Sequence, residues 1–250
     1  MNQASGATAQ GALSIAERFV AARLAARPLA AYPGTIPPDM DAAYLCQDEA
    51  IALWPDEVVG WKVGWIGEDQ QRVYREERVV GPIFRNTVHI IRLDEEIEFP
   101  VYRGGFAAVE AEYVFRISAD APADKRSWTD AEAADMVGAL YIGVEPASSP
   151  LATINELGPA VVVSDFGNNA GLLLGPEVAD WRRRIADGMT CETFIDGRSV
   201  GKGGTARLPK GPIGALAFAL MRCARRGRPL RAGCLVSTGA ASGIHDILPV

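Results

Sequence analysis

The stretch Phe106–Ser118, FAAVEAEYVFRIS, has the β-branched, aromatic and small residues of a strand but carries two carboxylates two positions apart. Side chains along a strand alternate faces, so Glu110 and Glu112 share one face while Val109, Ala111 and Tyr113 share the other. Two like charges side by side repel unless water screens them or a cation sits between them. The spacing alone fits a solvated sheet face or a cation site, and the choice has to come from the rest of the chain.

The chain has 250 residues, 48% of them apolar, enough for one large domain or a domain with a helical extension. Its net charge of -6 disfavours nucleic acid and an anionic membrane surface as partners, since both select basic faces. The local arginine groups, Arg182 to Arg184 and Arg222, Arg225, Arg226 and Arg228, are too small to change that and read as solvated helix faces or interface rims. Cys46, Cys191, Cys223 and Cys234 lack the spacing of a zinc site or a redox pair and read as reduced, packed thiols. With no basic and apolar leader pattern and no apolar run long enough to span a bilayer, a cytoplasmic protein without a membrane partner is expected.

Along the chain, residues 1 to about 10 are expected to be unstructured. Leu13, Ile15, Phe19, Val20 and Leu24 then predict a helix that ends before Pro28. Asp39 is placed to cap a second helix running to Trp54. Residues 1–55 therefore read as a helical segment and residues 56–250 as the main body. In that body the β-like runs are VVGWKVGW, EIEFPVY, VEAEYVFRIS, ALYIGVE, PAVVVSDF, NAGLLLG and MTCETFIDGRSVGKG, the last with a hairpin signal at Asp196-Gly197. Two helices interrupt them. One has a capping box formed by Thr129 and Glu132, and the other runs from Gly211 to Arg226. A final apolar run covers Cys234 to Thr238. Strands in series with few helices between them disfavour regular βαβ winding, so the fold class is α+β with a mixed, mostly antiparallel sheet.

Lys62 stands among apolar residues and glycines in Val59–Trp65, with no acidic neighbour in sequence. Burial without a partner would lower its pKa, which suits acid/base work or capture of a substrate carboxylate; a lysine reaching out from a strand edge is the plainer alternative. Glu145 ends the apolar run Ala139–Val144. Together with Glu110 and Glu112 it would complete an all-oxygen set suited to Mg2+ or Mn2+, with coordination positions left for substrate. The strings Ser164–Asn169 and Ser237–Gly243 offer hydroxyls, amides and backbone N–H groups for a carboxylate.

Taken in order, GWKVG, VEAEYVF, IGVEP, SDFGNNAGLLLG and VSTGAASG resemble the 2-keto-4-pentenoate hydratase branch of the fumarylacetoacetate hydrolase superfamily, over about residues 40 to 243. The resemblance implies a mixed β-roll behind the N-terminal helical segment, with Mg2+ or Mn2+ on Glu110, Glu112 and Glu145. It also implies a 2-oxo or 2-hydroxydienoic acid substrate and a homo-oligomer, with a complex with a pathway enzyme as a further expectation. Lys62 would be the catalytic proton shuttle or carboxylate partner, and Asp165, Asn169, Thr238, Gly239, Ser242 and Gly243 would contact substrate. The implied reaction is hydration of a 2-hydroxy-2,4-dienoate to a 4-hydroxy-2-oxo acid, in the breakdown of aromatic or related compounds. The glutamate at 145 distinguishes this pattern from the C–C bond hydrolases, which usually have aspartate there and a histidine to activate water; His89 and His245 lie outside the matching motifs.

Three departures widen the reading. Gly64–Gly67 replaces a Leu-Thr-Ser element, Arg78-Val79-Val80 lacks the acid expected before Gly81, and Ala147–Pro150 replaces an Asp-Ser-Arg element. A decarboxylase of a vinylogous 2-oxo diacid would use the same ion, with Arg72, Arg75, Arg78 or Arg85 as the cation for its second carboxylate. A non-catalytic partner subunit that binds metal without turnover is the third reading.

Overall fold

A computed structural model describes residues 2–248, with side chains from residue 9 onward. In chain order the elements are α1 (Asn2–Leu24), α2 (Met40–Leu53), β1 (Val58–Trp65), α3 (Glu68–Tyr74), β2 (Arg78–Phe84) and β3 (Val88–Ile90). They continue as β4 (Phe106–Ile117), α4 (Asp130–Asp135), β5 (Val137–Ser149), α5 (Pro159–Ser164), β6 (Leu172–Glu177) and α6 (Trp181–Asp187). The last are the hairpin β7 (Thr190–Ile195) and β8 (Arg198–Gly204), then α7 (Gly211–Arg225), β9 (Leu235–Ser237) and β10 (Ile244–Asp246).

One eight-stranded sheet organises the body in the order β2-β1-β9-β4-β5-β6-β3, with β10 added along β4; β7 and β8 form a separate ribbon. The pairs β1–β9 and β3–β6 are parallel and the others antiparallel, as an α+β chain with few crossover helices requires. The long β4–β5 ladder is the spine. Its neighbour on one side is split: β9 covers Val114–Arg116 and β10 covers Ala108–Glu110, leaving Ala111–Tyr113 to be bridged by the loop 238–243. That loop holds on through Thr238 N–H to the Tyr113 carbonyl and Ala241 N–H to the Ala111 carbonyl. The sheet therefore opens where Glu112 stands.

Apolar side chains hold these layers, each fully buried Leu, Val or Phe being worth about 1.5–3 kcal/mol. The largest cluster joins α2, β1, β4, β9 and α7 through Tyr44, Val63, Phe115, Val236, Leu216 and Leu220. A second, with Ile15, Phe19, Cys46, Leu151, Ile154 and Val161, packs α1 and α2 on the segment after β5. A third, with Ile83, Val114, Leu172 and Leu235, lies under the sheet. Arg226 sits over Tyr44 and Trp61 and pairs with Asp48 at 2.7 Å, tying α7 to α2.

Several sequence expectations change. The helix expected from about residue 11 begins at Asn2. PAVVVSDF is not a strand: Pro159 opens the short helix α5, whose Ser164 hydroxyl bonds back to the Ala160 carbonyl at 2.8 Å. EIEFPVY has no regular structure, and its Pro100 could not donate to a ladder. β2 was not anticipated because all seven of its residues are buried, which erases alternation, and Pro82 is tolerated because β2 is an edge strand. The Thr129–Glu132 capping box, the Asp39 cap and the Asp196-Gly197 hairpin are present. The four cysteines are free, and among the described residues no helix is long and apolar enough to cross a membrane.

Candidate metal centre

The β4–β5 register places Glu110 directly opposite Glu145, and the strand period brings Glu112 to the same face. Carboxylate oxygens of the three lie within 4.8 Å of one another, and all three residues are buried, at 4%, 3% and 0% exposure. The solvated-face alternative is thereby removed. Burial raises Glu110 to about 7, with Lys62 opposing and Glu145 adding to the rise. Burial, with Glu145 and Glu110 behind it, raises Glu112 well above the ordinary carboxylate range.

Lys62 reaches this cluster from β1, which is joined to β4 through β9: Lys62 is level with Ser237, and Ser237 with Val114. Its Nζ lies 3.4 Å from Glu145 Oε2 and donates to Asn168 Oδ1 at 3.2 Å. The lowered pKa expected from sequence is reversed. Burial does pull Lys62 down, but Glu145, Glu110 and Glu112 outweigh it and hold the ammonium up to about 12. The cancelling charges are far away in sequence and come together only through the sheet.

One lysine does not neutralise three carboxylates. Glu112 Oε2 accepts from Ser237 Oγ and from Gly239 N–H at 2.8 Å, whereas Glu112 Oε1 is buried with no hydrogen bond. Glu145 Oε1 accepts from Asn169 Nδ2 at 2.9 Å, and Glu145 Oε2 has only the lysine beside it. Three converging buried carboxylates, two of them with an oxygen that has no hydrogen bond, are the donor set of a hard divalent cation. The residues fit such an ion.

The centre stands at the wall of a cleft of about 680 Å3, lined by Lys62, Glu110, Asn168, Thr238, Gly239 and Gly243 among others. The other expected contacts are placed differently. Asp165 is fully buried and committed to Arg23 and Ser149 instead of the cleft. Asn169 orients Glu145, Thr238 turns its hydroxyl to the Tyr113 carbonyl at 2.8 Å, and the Gly239 amide is taken by Glu112. Ser242 Oγ is 2.7 Å from Thr193 Oγ and 3.3 Å from His245 Nε2. Sequence reasoning named Ser237 and Asn168 only within strings offering polar groups to a substrate carboxylate, whereas they bond Glu112 and Lys62. It also left Arg207 unmentioned, and named Arg78 as one of four candidate cations and in the departure before Gly81. Of those four, Arg78 alone lines this cleft, stacked 4.7 Å from the Trp65 ring centroid, its Nε without a hydrogen bond but 3.7 Å from Glu77 Oε1; Arg207 lines it too.

Asn168 and Asn169 ride on an unusual turn. Phe166, Gly167 and Asn168 have φ of 55°, 64° and 55° in succession, a left-handed run that costs about 1–2 kcal/mol at each non-glycine residue. The turn presses on β2, where a Cβ on Gly81 would lie 2.1 Å from the Phe166 carbonyl oxygen.

Among solved structures, this architecture is similar to 4-oxalocrotonate decarboxylase from Pseudomonas putida G7, in complexes with calcium and acetate and with magnesium and adipate. Each superposes with a TM-score of 0.75 at 18% identity over 96% of this chain and 90% of that one. Fumarylpyruvate hydrolase from Pseudomonas aeruginosa, complexed with Mn2+ and pyruvate, gives 0.54 at 16% identity over 75% of this chain and 79% of that one. The chain has the fumarylacetoacetate hydrolase-like fold. A third member, 5-carboxymethyl-2-hydroxymuconate delta-isomerase from Mycobacterium smegmatis, gives 0.51 at 18% identity over 77% of this chain and 72% of that one. No family model and no curated protein sequence matches the chain.

Proposed function

We propose that the chain is a Mg2+- or Mn2+-dependent hydratase that adds water to a 2-hydroxy-2,4-dienoate and releases a 4-hydroxy-2-oxo acid. The observation that carries this is the buried, under-neutralised Glu110–Glu112–Glu145 cluster facing a protonated Lys62 at the wall of a cleft. The magnesium and manganese in the solved relatives support the choice of ion. When bound on the three glutamates, the ion supplies a Lewis acid for the substrate C1 carboxylate and C2 oxygen.

The chain's own groups then divide the proton work. Ketonisation moves one proton from the 2-hydroxyl to C5: Lys62, held as the ammonium by its carboxylates and oriented by Asn168, donates to C5 from the cleft wall and is restored by the hydroxyl proton. This gives a conjugated enone. Water adds its hydroxyl to C4 and its proton to C3, and we assign the carrying of that proton to Glu156, an exposed carboxylate among the cleft-lining residues. An assembly of identical chains, associated with an enzyme of the same pathway, belongs to this reading.

A second reading rests on Arg78 and Arg207, which give the cleft two cations beyond Lys62. They suit the far carboxylate of a vinylogous 2-oxo diacid, whose loss as carbon dioxide would leave a dienolate for Lys62 to protonate. The structural similarity to 4-oxalocrotonate decarboxylase supports it. Incubating the Mg2+-loaded protein with 2-hydroxypenta-2,4-dienoate, and separately with 2-oxohex-3-enedioate, and identifying products by NMR separates the two. Formation of 4-hydroxy-2-oxopentanoate from the first supports the hydratase; carbon dioxide from the second without hydration of the first overturns it in favour of decarboxylation. Turnover of neither overturns both.

A further inference from the structure

Arg23 and Asp165 form a buried ion pair outside the metal centre, at 6% and 0% exposure. The guanidinium comes from α1 and directs its donors at one loop and the strand end beside it. Nε and Nη2 reach the two Asp165 carboxylate oxygens at 2.5 and 2.9 Å, and Nη2 also faces the Asp165 and Ser148 carbonyls at 3.2 and 3.1 Å. Nη1 donates to the Asn169 carbonyl at 3.0 Å, and the guanidinium lies 5.0 Å from the centroid of the Phe166 ring. Ser149 Oγ completes the Asp165 carboxylate at 2.6 Å. One side chain thus holds residues 165, 166 and 169.

Between those anchors lies the left-handed run Phe166–Asn168. A non-glycine backbone leaves that region unless its surroundings over-determine it. What this run presents is the orienting pair of the site: Asn168 Oδ1 for Lys62 Nζ and Asn169 Nδ2 for Glu145 Oε1. A pair that only fastened α1 to the body could be apolar at no loss. The planar fork of Arg23, shared among a carboxylate and three carbonyls, is instead suited to fixing one backbone path.

We propose that Arg23 and Asp165 are positioning residues of the metal centre: their pair keeps the 166–168 turn left-handed and, through Asn168 and Asn169, sets Lys62 and Glu145. The N-terminal helix then supplies part of the site although Arg23 does not line the cleft. The inference rests on reading Glu110, Glu112 and Glu145 as a cation site.

The test is Mn2+ affinity of the full chain, measured by titration calorimetry and electron paramagnetic resonance. Arg23→Lys keeps the charge and loses the fork, and is expected to weaken Mn2+ binding tenfold to a hundredfold, as loss of groups that orient metal ligands does. Phe19→Leu, on the same helix, is expected to lower the melting temperature with Mn2+ affinity unchanged. Asn169→Ala is expected to weaken Mn2+ binding as Arg23→Lys does, and combining the two to add little, because both remove the same restraint on Glu145. Should Arg23→Lys fail to fold, Arg23→Met with Asp165→Leu removes both charges and is read the same way. Wild-type affinity in the variant that folds, or losses that simply add with Asn169→Ala, overturns the positioning role alone. Failure of the wild-type chain to bind Mn2+ overturns the metal-centre reading, and the positioning role with it.

Discussion

At the residue scale, the account turns on the imbalance of one ammonium against three carboxylates. Glu110→Gln removes one oxygen donor that no neighbour replaces, and turnover should fall by at least about a hundredfold, with Mn2+ affinity reduced by a similar factor. Lys62→Met should leave the cation site occupied but cost about 10²–10⁴ in kcat, with a smaller change in KM, if the lysine moves the proton. Steady-state kinetics beside Mn2+ titrations separate the two residues. A Lys62→Met variant with normal kcat would remove the lysine from the chemistry. Proton competition gives a further reading. Glu110 is held at about 7 without metal, so below that pH a cation must displace its proton, and apparent Mn2+ affinity should drop as pH falls from 8 to 6. An affinity flat across that range would mean that Glu110 is not a ligand.

At the element scale, the β4–β5 ladder does the assembling, because strand period and register alone bring Glu110, Glu112 and Glu145 together. This much was legible in the sequence. The parity of Glu110 and Glu112 names a shared face, and the apolar run before Glu145 names a strand. The state of Lys62 was not legible, because β1 meets β4 only through β9, which arrives more than a hundred residues later. Nor were the partners of Asp165 and Asn169, since both are spent inside the protein, one on α1 and one on Glu145. The run PAVVVSDF misled because three consecutive valines suit a buried strand and a short buried helix alike. The contact between β2 and the left-handed turn makes its own prediction. Gly81→Ala would place a Cβ against the Phe166 carbonyl, so the strand or the turn must move, at a cost of about 1–3 kcal/mol. Chemical denaturation should show that loss together with weakened Mn2+ binding; an alanine variant of wild-type stability would mean that the two segments are not in close contact.

At the scale of the whole molecule, burying unbalanced charge ties stability to pH and to metal. The folded state holds the Glu110 proton more tightly than an unfolded chain with the ordinary value of 4.5, so the metal-free protein should lose stability as pH rises from about 4.5 to about 7. Lys62 works in the opposite region: its raised pKa contributes stability that is complete below 10.5 and is lost as pH rises towards about 12. A bound cation replaces the missing proton. Mn2+ at a hundred times its dissociation constant should add about 2.7 kcal/mol, or about 5–10 °C in melting temperature. Thermal melts in chelator and in Mn2+ should therefore diverge more at pH 8 than at pH 5. Parallel curves would show that ion binding and the buried carboxylates are unrelated.

The most direct measurement is anomalous diffraction from crystals grown with Mn2+, since it locates the ion without reference to any substrate. The account predicts a single strong peak about 2 Å from oxygens of Glu110, Glu112 and Glu145, with the remaining coordination positions facing the cleft. A lattice with no peak at those three carboxylates, with Lys62 alone neutralising them, would contradict it.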